Sequence, residues 1–105
     1  MTDIVEGYSY LTGRTPLPQL WTLGHHQSRW GYLSAEDIRR VAHKYRELQI
    51  PCDTIHFDID YMDGYRVFTW NEKDFGAPGG IIKEIAEDGF KVVCIIDPGV
   101  KLDPG

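Results

Sequence analysis

Three carboxylates lie close together in the segment FDIDYMDGY, as Asp58, Asp60 and Asp63. Two acids that are one residue apart are able to bind a hard cation through their oxygen atoms. The spacing does not match the calcium loop of an EF-hand, because Met62 stands where the third acid belongs and Thr69 where the final glutamate belongs. We therefore predict no metal site in this segment and consider which other ligand the carboxylates would bind.

The alternation of residues around these acids favours a ligand that is rich in hydroxyl groups. One face of a strand would carry four polar groups in alternation with apolar ones, at Thr54, His56, Asp58 and Asp60. Carboxylates in a water-poor cavity need hydroxyl or cationic partners, and sugars supply hydroxyl groups at high density. Aromatic residues nearby offer flat faces for sugar rings, at Trp30, Tyr32, Tyr61, Tyr65 and Trp70. For Asp63, a solvated loop position is the simpler interpretation.

Three segments have the length and pattern of strands, at about 19–25, 53–59 and 91–97. The second alternates polar and apolar residues, and the third is a nearly continuous apolar run, which is typical of a strand covered on both faces. Between the first two, the spacing of Ser34 and Asp37 predicts a helix start. We expect that helix to end before Pro51, where the chain cannot continue it.

Two further helices and a short extra strand complete the predicted elements. Residues 3–12 form an amphipathic pattern that Gly13 ends, and the segment IIKEIAED forms a second pattern that ends at Gly89. The segment RVFTW, residues 66–70, has the composition of a small additional strand.

The order of strands and helices predicts an α/β fold with a parallel βαβαβ unit, because each helix is long enough for a right-handed crossover. Polar residues collect at the predicted carboxyl ends of all three strands. They are His25 and His26 on the first, Asp58 and Asp60 on the second, and Asp97 on the third. Ligands of α/β folds bind at this edge, so we expect the functional site there.

Composition excludes several classes of partner. The 105 residues have the length of one domain, and their formal charge of −5 comes without a basic cluster, so we expect no nucleic acid partner. No apolar run approaches the roughly 20 residues of a membrane span. The first residues lack the pattern of a secretion signal, which predicts a cytoplasmic protein without a membrane partner. Cys52 and Cys94 lack the spacing of a zinc or redox motif and are expected to be buried, reduced thiols.

Three longer stretches resemble, in order, the opening of the catalytic barrel of glycoside hydrolase family 31, the α-glucosidases and their relatives. The stretches are YSYLTGRTPLPQLWTLGHHQSRWGY, IPCDTIHFDIDYMDGYRVFTWNEKDF and GFKVVCIIDPGVK. Four motifs within them match the family in type, order and spacing: LTGR-x-PLP, the Arg-aromatic-Gly-Tyr segment, D-I-D-Y-M and I-D-P-G-V. The resemblance covers nearly all of the chain.

This resemblance implies a (β/α)₈ barrel that hydrolyses terminal α-linked glucosyl units with retention and needs no cofactor. The chain would form the first three strands of that barrel as a partial catalytic domain over residues 1–105. By motif matching, Asp58 would bind sugar hydroxyl groups in the −1 subsite and Ile59 would line the pocket. Trp30 would lie at its rim, and Asp97 and Val100 would lie at the mouth of the third strand.

The chain departs from the family in its length. Such a barrel takes about 250 residues and eight strands, and the family's W-x-D-M-N-E-like nucleophile motif and its acid/base are absent from these 105 residues. We therefore expect a hydrolase fragment that has no catalytic residues, is inactive alone, and associates with the rest of a barrel or with itself. Two alternatives remain open, a stand-alone carbohydrate-binding or self-assembling module and a metal-dependent Asp-x-Asp glycosyltransferase.

Overall fold

Three parallel strands form a sheet in the computed structural model, which describes residues 1–104. The strands are β1 (His26–Gln27), β2 (Thr54–Phe57) and β3 (Lys91–Cys94), in the order β1-β2-β3. Thr54 of β2 lies opposite His26 on one side and opposite Lys91 on the other. The predicted parallel βαβαβ arrangement of an α/β fold is confirmed.

Four α-helices accompany the sheet in residues 1–104: α1 (Thr2–Thr12), α2 (Ala35–Glu47), α3 (Glu72–Phe75) and α4 (Pro78–Glu87). Helix α2 connects β1 to β2, and α3 and α4 connect β2 to β3. The predicted helix start is confirmed, because the Ser34 hydroxyl accepts a hydrogen bond from the Asp37 amide at 3.3 Å. Within the same residues, none of the helices combines the length and the hydrophobicity that a membrane span requires.

The predicted first strand over 19–25 is wrong in position. Leu20–Leu23 forms a one-turn 3₁₀ helix, and the strand that pairs with β2 is His26–Gln27. The reason is local hydrogen bonding, since the Thr22 amide and hydroxyl both donate to the carbonyl of Gln19, at 3.0 and 2.7 Å. These bonds fold the apolar run into a turn before it reaches the sheet edge.

The predicted extra strand at 66–70 is also absent from the described chain. These residues form turns, in which Phe68 has a φ of 61° and the Thr69 hydroxyl donates to the Arg66 carbonyl. A side-chain bond of this kind competes with strand pairing. The other two strands fall within their predicted segments and are shorter than predicted, and α4 begins at Pro78, ahead of the predicted start.

The hydrophobic core lies between one face of the sheet and the helices. Its fully buried members include Ile38 and Ala42 of α2, Ile55 and Phe57 of β2, Ile81 and Ile85 of α4, and Phe90. Because side chains alternate along a strand, Thr54 and His56 belong to the opposite face of β2. That face is the one that would line the interior of a barrel.

Both edges of the sheet are open in the described chain, and several apolar surfaces are uncovered. Helix α1 has no buried residue, although its Ile4, Tyr8 and Leu11 are apolar. Beside β1, a cavity of about 680 Å³ is lined by Tyr45, Leu48 and other residues of the α2 region. A monomeric domain rarely leaves such surfaces exposed.

Arg46 joins α2 to the start of β2 and to the end of α4. Its guanidinium lies 3.6 Å from the centroid of the Phe90 ring. Nε donates to the Asp88 carbonyl at 2.9 Å, and the two terminal nitrogens donate to the Cys52 carbonyl at 3.2 and 3.3 Å. The planar guanidinium suits this combination of stacking and forked hydrogen bonding, which a lysine ammonium would not reproduce.

We expect Arg46→Ala to lower the free energy of unfolding by about 2 kcal/mol, because charged hydrogen bonds and a cation–π contact are lost together. Arg46→Lys should recover less than half of that loss. Urea denaturation followed by circular dichroism measures both. Arg40→Ala is the matched control, since Arg40 is exposed and pairs only with Asp37 in the described chain. A control loss as large as that of Arg46→Ala would contradict the assignment.

Candidate functional site

The three parallel strands bring the predicted site segments to one edge of the sheet. Trp30 lies in the loop after β1, Asp58 follows β2 directly, and Asp97 lies beyond β3. Because parallel strands share a direction, their carboxyl ends meet at the same edge. These three residues therefore lie at the carboxyl edge of the sheet, where the strand order predicts them.

Asp58 is half-buried, and one of its oxygens has a defined role in the fold. Oδ1 accepts a hydrogen bond from the Ile59 amide at 2.7 Å and so caps the 3₁₀ helix Ile59–Tyr61. Ile59 is half-buried and packs against the hydrophobic core. The carboxylate of Asp58 is therefore held in a fixed orientation at the end of β2.

Asp60 does not share the strand face of Asp58, contrary to the predicted alternation. Strand β2 ends at Phe57, and Asp60 lies within the following 3₁₀ helix. Its Oδ1 accepts a hydrogen bond from the Tyr65 hydroxyl at 3.4 Å, whereas its Oδ2 is buried without a hydrogen-bond partner. Asp60 also lines a cavity of about 310 Å³ together with Met62, Tyr65 and Asn71.

Trp30, Asp97 and Val100 are all exposed. Trp30 has an exposed fraction of 82% and Val100 of 97%, and Asp97 adopts a left-handed conformation with a φ of 47°. Contacts further along the chain hold the segment after β3, since Lys101 donates to the Gly64 carbonyl at 2.7 Å and Arg66 pairs with Asp103. Val100 itself takes part in none of these contacts and lies exposed at the mouth of β3.

A histidine pair lies on the sheet face opposite the core, which sequence reasoning missed. His26 Nδ1 and His56 Nε2 are 3.0 Å apart, and the Trp21 ring stacks on His26 with centroids 6.0 Å apart. Burial and the neighbouring His26 lower the pKa of His56. The register of β1 against β2 brings the rings together, and no pattern in the sequence gives that register.

The lowered pKa of His56 predicts that stability falls in mild acid. The unfolded imidazole titrates near 6.5, and the folded one titrates at lower pH, so between these values the unfolded state binds more protons. The free energy of unfolding should therefore decrease as pH falls below about 6.5. His56→Gln should reduce this decrease in urea titrations at pH 7.5 and 5.5, while the exposed His43→Gln should not. If the free energy of unfolding fell by the same amount between pH 7.5 and 5.5 in both variants, the prediction would be contradicted.

Neither a metal centre nor a disulfide is formed by the described residues. Residues 1–104 contain no group of three or more His, Cys, Asp or Glu side chains placed to bind one metal ion. Cys52 is buried and Cys94 is half-buried, and both are free thiols. Burial raises the pKa of each thiol, which disfavours the reactive thiolate.

Comparison with known proteins places this sheet in a larger enzyme fold. Residues 15–105 match the model of the glycosyl hydrolases family 31 TIM-barrel domain. The chain is 47% identical over 102 residues to alpha-glucosidase 2 of Bacillus thermoamyloliquefaciens, covering 97% of this chain and 13% of that protein. It is 39% identical over 105 residues to human neutral alpha-glucosidase AB, covering all of this chain and 11% of that protein.

Solved structures agree with the sequence comparison. The chain matches the crystal structure of an ER glucosidase II heterodimeric complex with a TM-score of 0.87 and 42% identity, over 97% of this chain and 11% of that one. It matches a family 31 α-glucosidase from Bacteroides thetaiotaomicron with a TM-score of 0.84 and 42% identity, over 97% of this chain and 17% of that one. The chain belongs to glycoside hydrolase family 31, and its three strands are part of that family's TIM barrel.

Proposed function

We propose that the chain supplies part of the −1 sugar-binding subsite of a retaining α-glucosidase. The observation that carries the proposal is the placement of Asp58, which is half-buried at the carboxyl end of β2 and fixed by its bond to the Ile59 amide. A carboxylate fixed at this edge accepts hydrogen bonds from two adjacent sugar hydroxyl groups at little entropic cost. The substrate would be an α-linked glucoside or oligosaccharide.

Trp30 and Ile59 would provide the apolar part of the same subsite. The exposed indole of Trp30 offers a flat apolar surface at the edge where the site is proposed, and such surfaces complement the apolar faces of a pyranose ring. Ile59 follows Asp58 and is braced by the core. Asp97 and Val100 are further contacts that we propose from the I-D-P-G-V motif, and substrate or neighbouring segments would have to cover Val100.

The catalytic carboxylates would come from outside these 105 residues. A retaining glycosidase needs two carboxyl groups about 5–5.5 Å apart across the scissile bond. Asp58 caps a 3₁₀ helix and Asp60 packs beside Gly31, so each already has a structural role. We infer that the isolated chain binds no substrate productively and hydrolyses none.

The partner of this chain would be the remainder of a barrel, with self-association as the second possibility. The open edges of β1 and β3 and the apolar cavity beside α2 are the surfaces that further βα units would cover. Unpaired edges promote association. Sedimentation velocity of the purified chain should show oligomers at micromolar concentration, and a monomer at all concentrations would argue against this inference.

A chimeric enzyme tests the proposed function. The matched 102 residues of alpha-glucosidase 2 from Bacillus thermoamyloliquefaciens would be replaced by this chain, which is 47% identical to them. We expect the chimera to hydrolyse p-nitrophenyl α-glucoside and to release the α-anomer of glucose first, as proton NMR detects. A folded but inactive chimera would contradict the proposal.

Sugar binding by the isolated chain distinguishes a hydrolase fragment from a stand-alone carbohydrate-binding module. Calorimetric titration of the purified chain with maltose should give no binding heat if the pocket needs other segments of the barrel. Saturable heat at millimolar maltose would instead favour a stand-alone carbohydrate-binding module, with the sheet edges used for self-assembly.

A further inference from the structure

Asp60 packs directly against the backbone of the loop that carries Trp30. A Cβ atom added to Gly31 would lie 2.5 Å from Asp60 Oδ2, a distance that real Cβ contacts do not reach. The same Oδ2 atom is buried and has no hydrogen-bond partner among the described residues. A side chain at position 31 would therefore have to displace the Asp60 carboxylate from the loop.

A second contact fixes the ends of the same loop. Gln27 Nε2 donates to the Tyr32 hydroxyl at 3.0 Å, so the residues on either side of the loop 28–31 are tied together. Tyr32 is 2% exposed and anchors this end of the loop in the core. The loop is thus held at its ends by Gln27 and Tyr32, and Asp60 contacts it at Gly31, the residue next to Tyr32.

The other oxygen of Asp60 reaches a second exposed aromatic residue. Oδ1 accepts a hydrogen bond from Tyr65 at 3.4 Å, and Tyr65 is 58% exposed. Asp60 therefore lies between the loop of Trp30 and the side chain of Tyr65. Removing the carboxylate would remove both contacts at once.

We propose that Asp60 is a positioning residue for sugar binding, which holds the Trp30 loop through its contact with Gly31. The inference rests on the proposed function, because it assumes that the Trp30 indole contacts the sugar. Asp60 itself would touch no substrate atom. Its effect should appear in the binding of substrate rather than in the chemical step.

The chain contains a matched control for this contact. A Cβ atom on Gly24 would lie 2.0 Å from Asp53 Oδ2, so a second aspartate packs against a second glycine. That pair lies before β2, at the opposite end of the strand, where Asp53 also accepts a hydrogen bond from the His25 amide at 3.2 Å. Both pairs place an aspartate Oδ2 against a glycine, but Asp53 Oδ2 accepts a hydrogen bond and Asp60 Oδ2 accepts none within residues 1–104. Only the Gly31–Asp60 pair adjoins the proposed site.

The test compares single and double variants in the chimeric glucosidase. Asp60→Ala should raise KM about tenfold and leave kcat within about twofold, as expected when binding that is equal in the ground state and the transition state is lost. Gly31→Ala should raise KM further than Asp60→Ala does. The KM of the double variant Gly31→Ala/Asp60→Ala should return to that of Asp60→Ala. The KM of Trp30→Ala/Asp60→Ala should be no higher than that of Trp30→Ala, because each substitution removes the same contact between the indole and the sugar. Gly24→Ala and Gly24→Ala/Asp53→Ala should change thermal stability with KM unchanged.

Two results would overturn the inference. One is a Gly31→Ala/Asp60→Ala variant that is no better than Gly31→Ala, and the other is multiplicative losses for Trp30→Ala and Asp60→Ala. If Asp58→Asn had no effect on the chimera, the proposed subsite would be refuted. The comparisons of the Gly31/Asp60 and Trp30/Asp60 variants could still be interpreted separately. If the chimera is inactive, the indole NMR signals of the 105-residue chain test whether Asp60 positions the Trp30 loop. Asp60→Ala should shift the Trp30 signal while Trp21 and Trp70 stay in place, and an unmoved Trp30 signal overturns the inference.

Discussion

Asp58→Asn is expected to lower kcat/KM of the chimeric glucosidase by about 10- to 150-fold, because a hydrogen bond to a charged group contributes ~1.5–3 kcal/mol and each 1.4 kcal/mol is tenfold. Asparagine keeps the oxygen that accepts from the Ile59 amide, so the 3₁₀ helix retains its cap. The substitution removes the negative charge and one acceptor that the sugar hydroxyl groups would use. Initial rates with p-nitrophenyl α-glucoside measure the change.

Asp63→Asn is the matched control for this prediction. Asp63 belongs to the same segment and is exposed, and we assign it no contact with substrate. Its kcat/KM should stay within about twofold of the parent, since surface substitutions rarely change local structure. Equal losses for Asp58→Asn and Asp63→Asn would show that the charge of the segment matters and that the position of Asp58 does not.

Phe57→Ala is expected to lower the free energy of unfolding by about 3–5 kcal/mol, the range for truncating a buried aromatic side chain. Phe57 is fully buried at the end of β2, and its ring centroid lies 6.2 Å from those of both Trp70 and Phe75. Truncation would leave a cavity among these rings, at the residue that precedes Asp58 in the chain. Urea denaturation of the purified chain, followed by tryptophan fluorescence, measures the loss.

Phe68→Ala provides the comparison for the aromatic cluster. Phe68 is 86% exposed and has a φ of 61°, and alanine would share that backbone conformation. The free energy of unfolding should therefore change by less than about 0.5 kcal/mol. A loss for Phe57→Ala no larger than this would mean that the cluster does not stabilise the carboxyl end of β2.

Local patterns were sufficient to predict the elements that carry the core. The alternation across β2, the apolar run of β3 and the capping spacing at Ser34 each reflect a preference that acts within a few residues. The apolar segment before β1 misled the prediction, because apolar composition does not distinguish a strand from a 3₁₀ turn closed by Gln19. Strand ends were also misplaced, since pairing with neighbours decides where a strand stops.

The sequence was sufficient to predict at which edge of the sheet the candidate site lies, but it predicted the arrangement of the side chains only in part. Motif and strand order were enough to bring Asp58 to the carboxyl end of β2. The same alternation assigned Asp60 to the wrong environment, because the chain turns into a 3₁₀ helix after Asp58. The approach of Asp60 to Gly31 joins residues far apart in the chain, and no local preference encodes such a contact.

The most direct test of the proposed site is a crystal structure of the chimeric enzyme with glucose bound. We predict that an oxygen of Asp58 lies within hydrogen-bonding distance, about 2.5–3.2 Å, of a sugar hydroxyl group, with the Trp30 indole against the ring. A sugar that is bound elsewhere in the barrel, with Asp58 facing only solvent, would contradict the proposal.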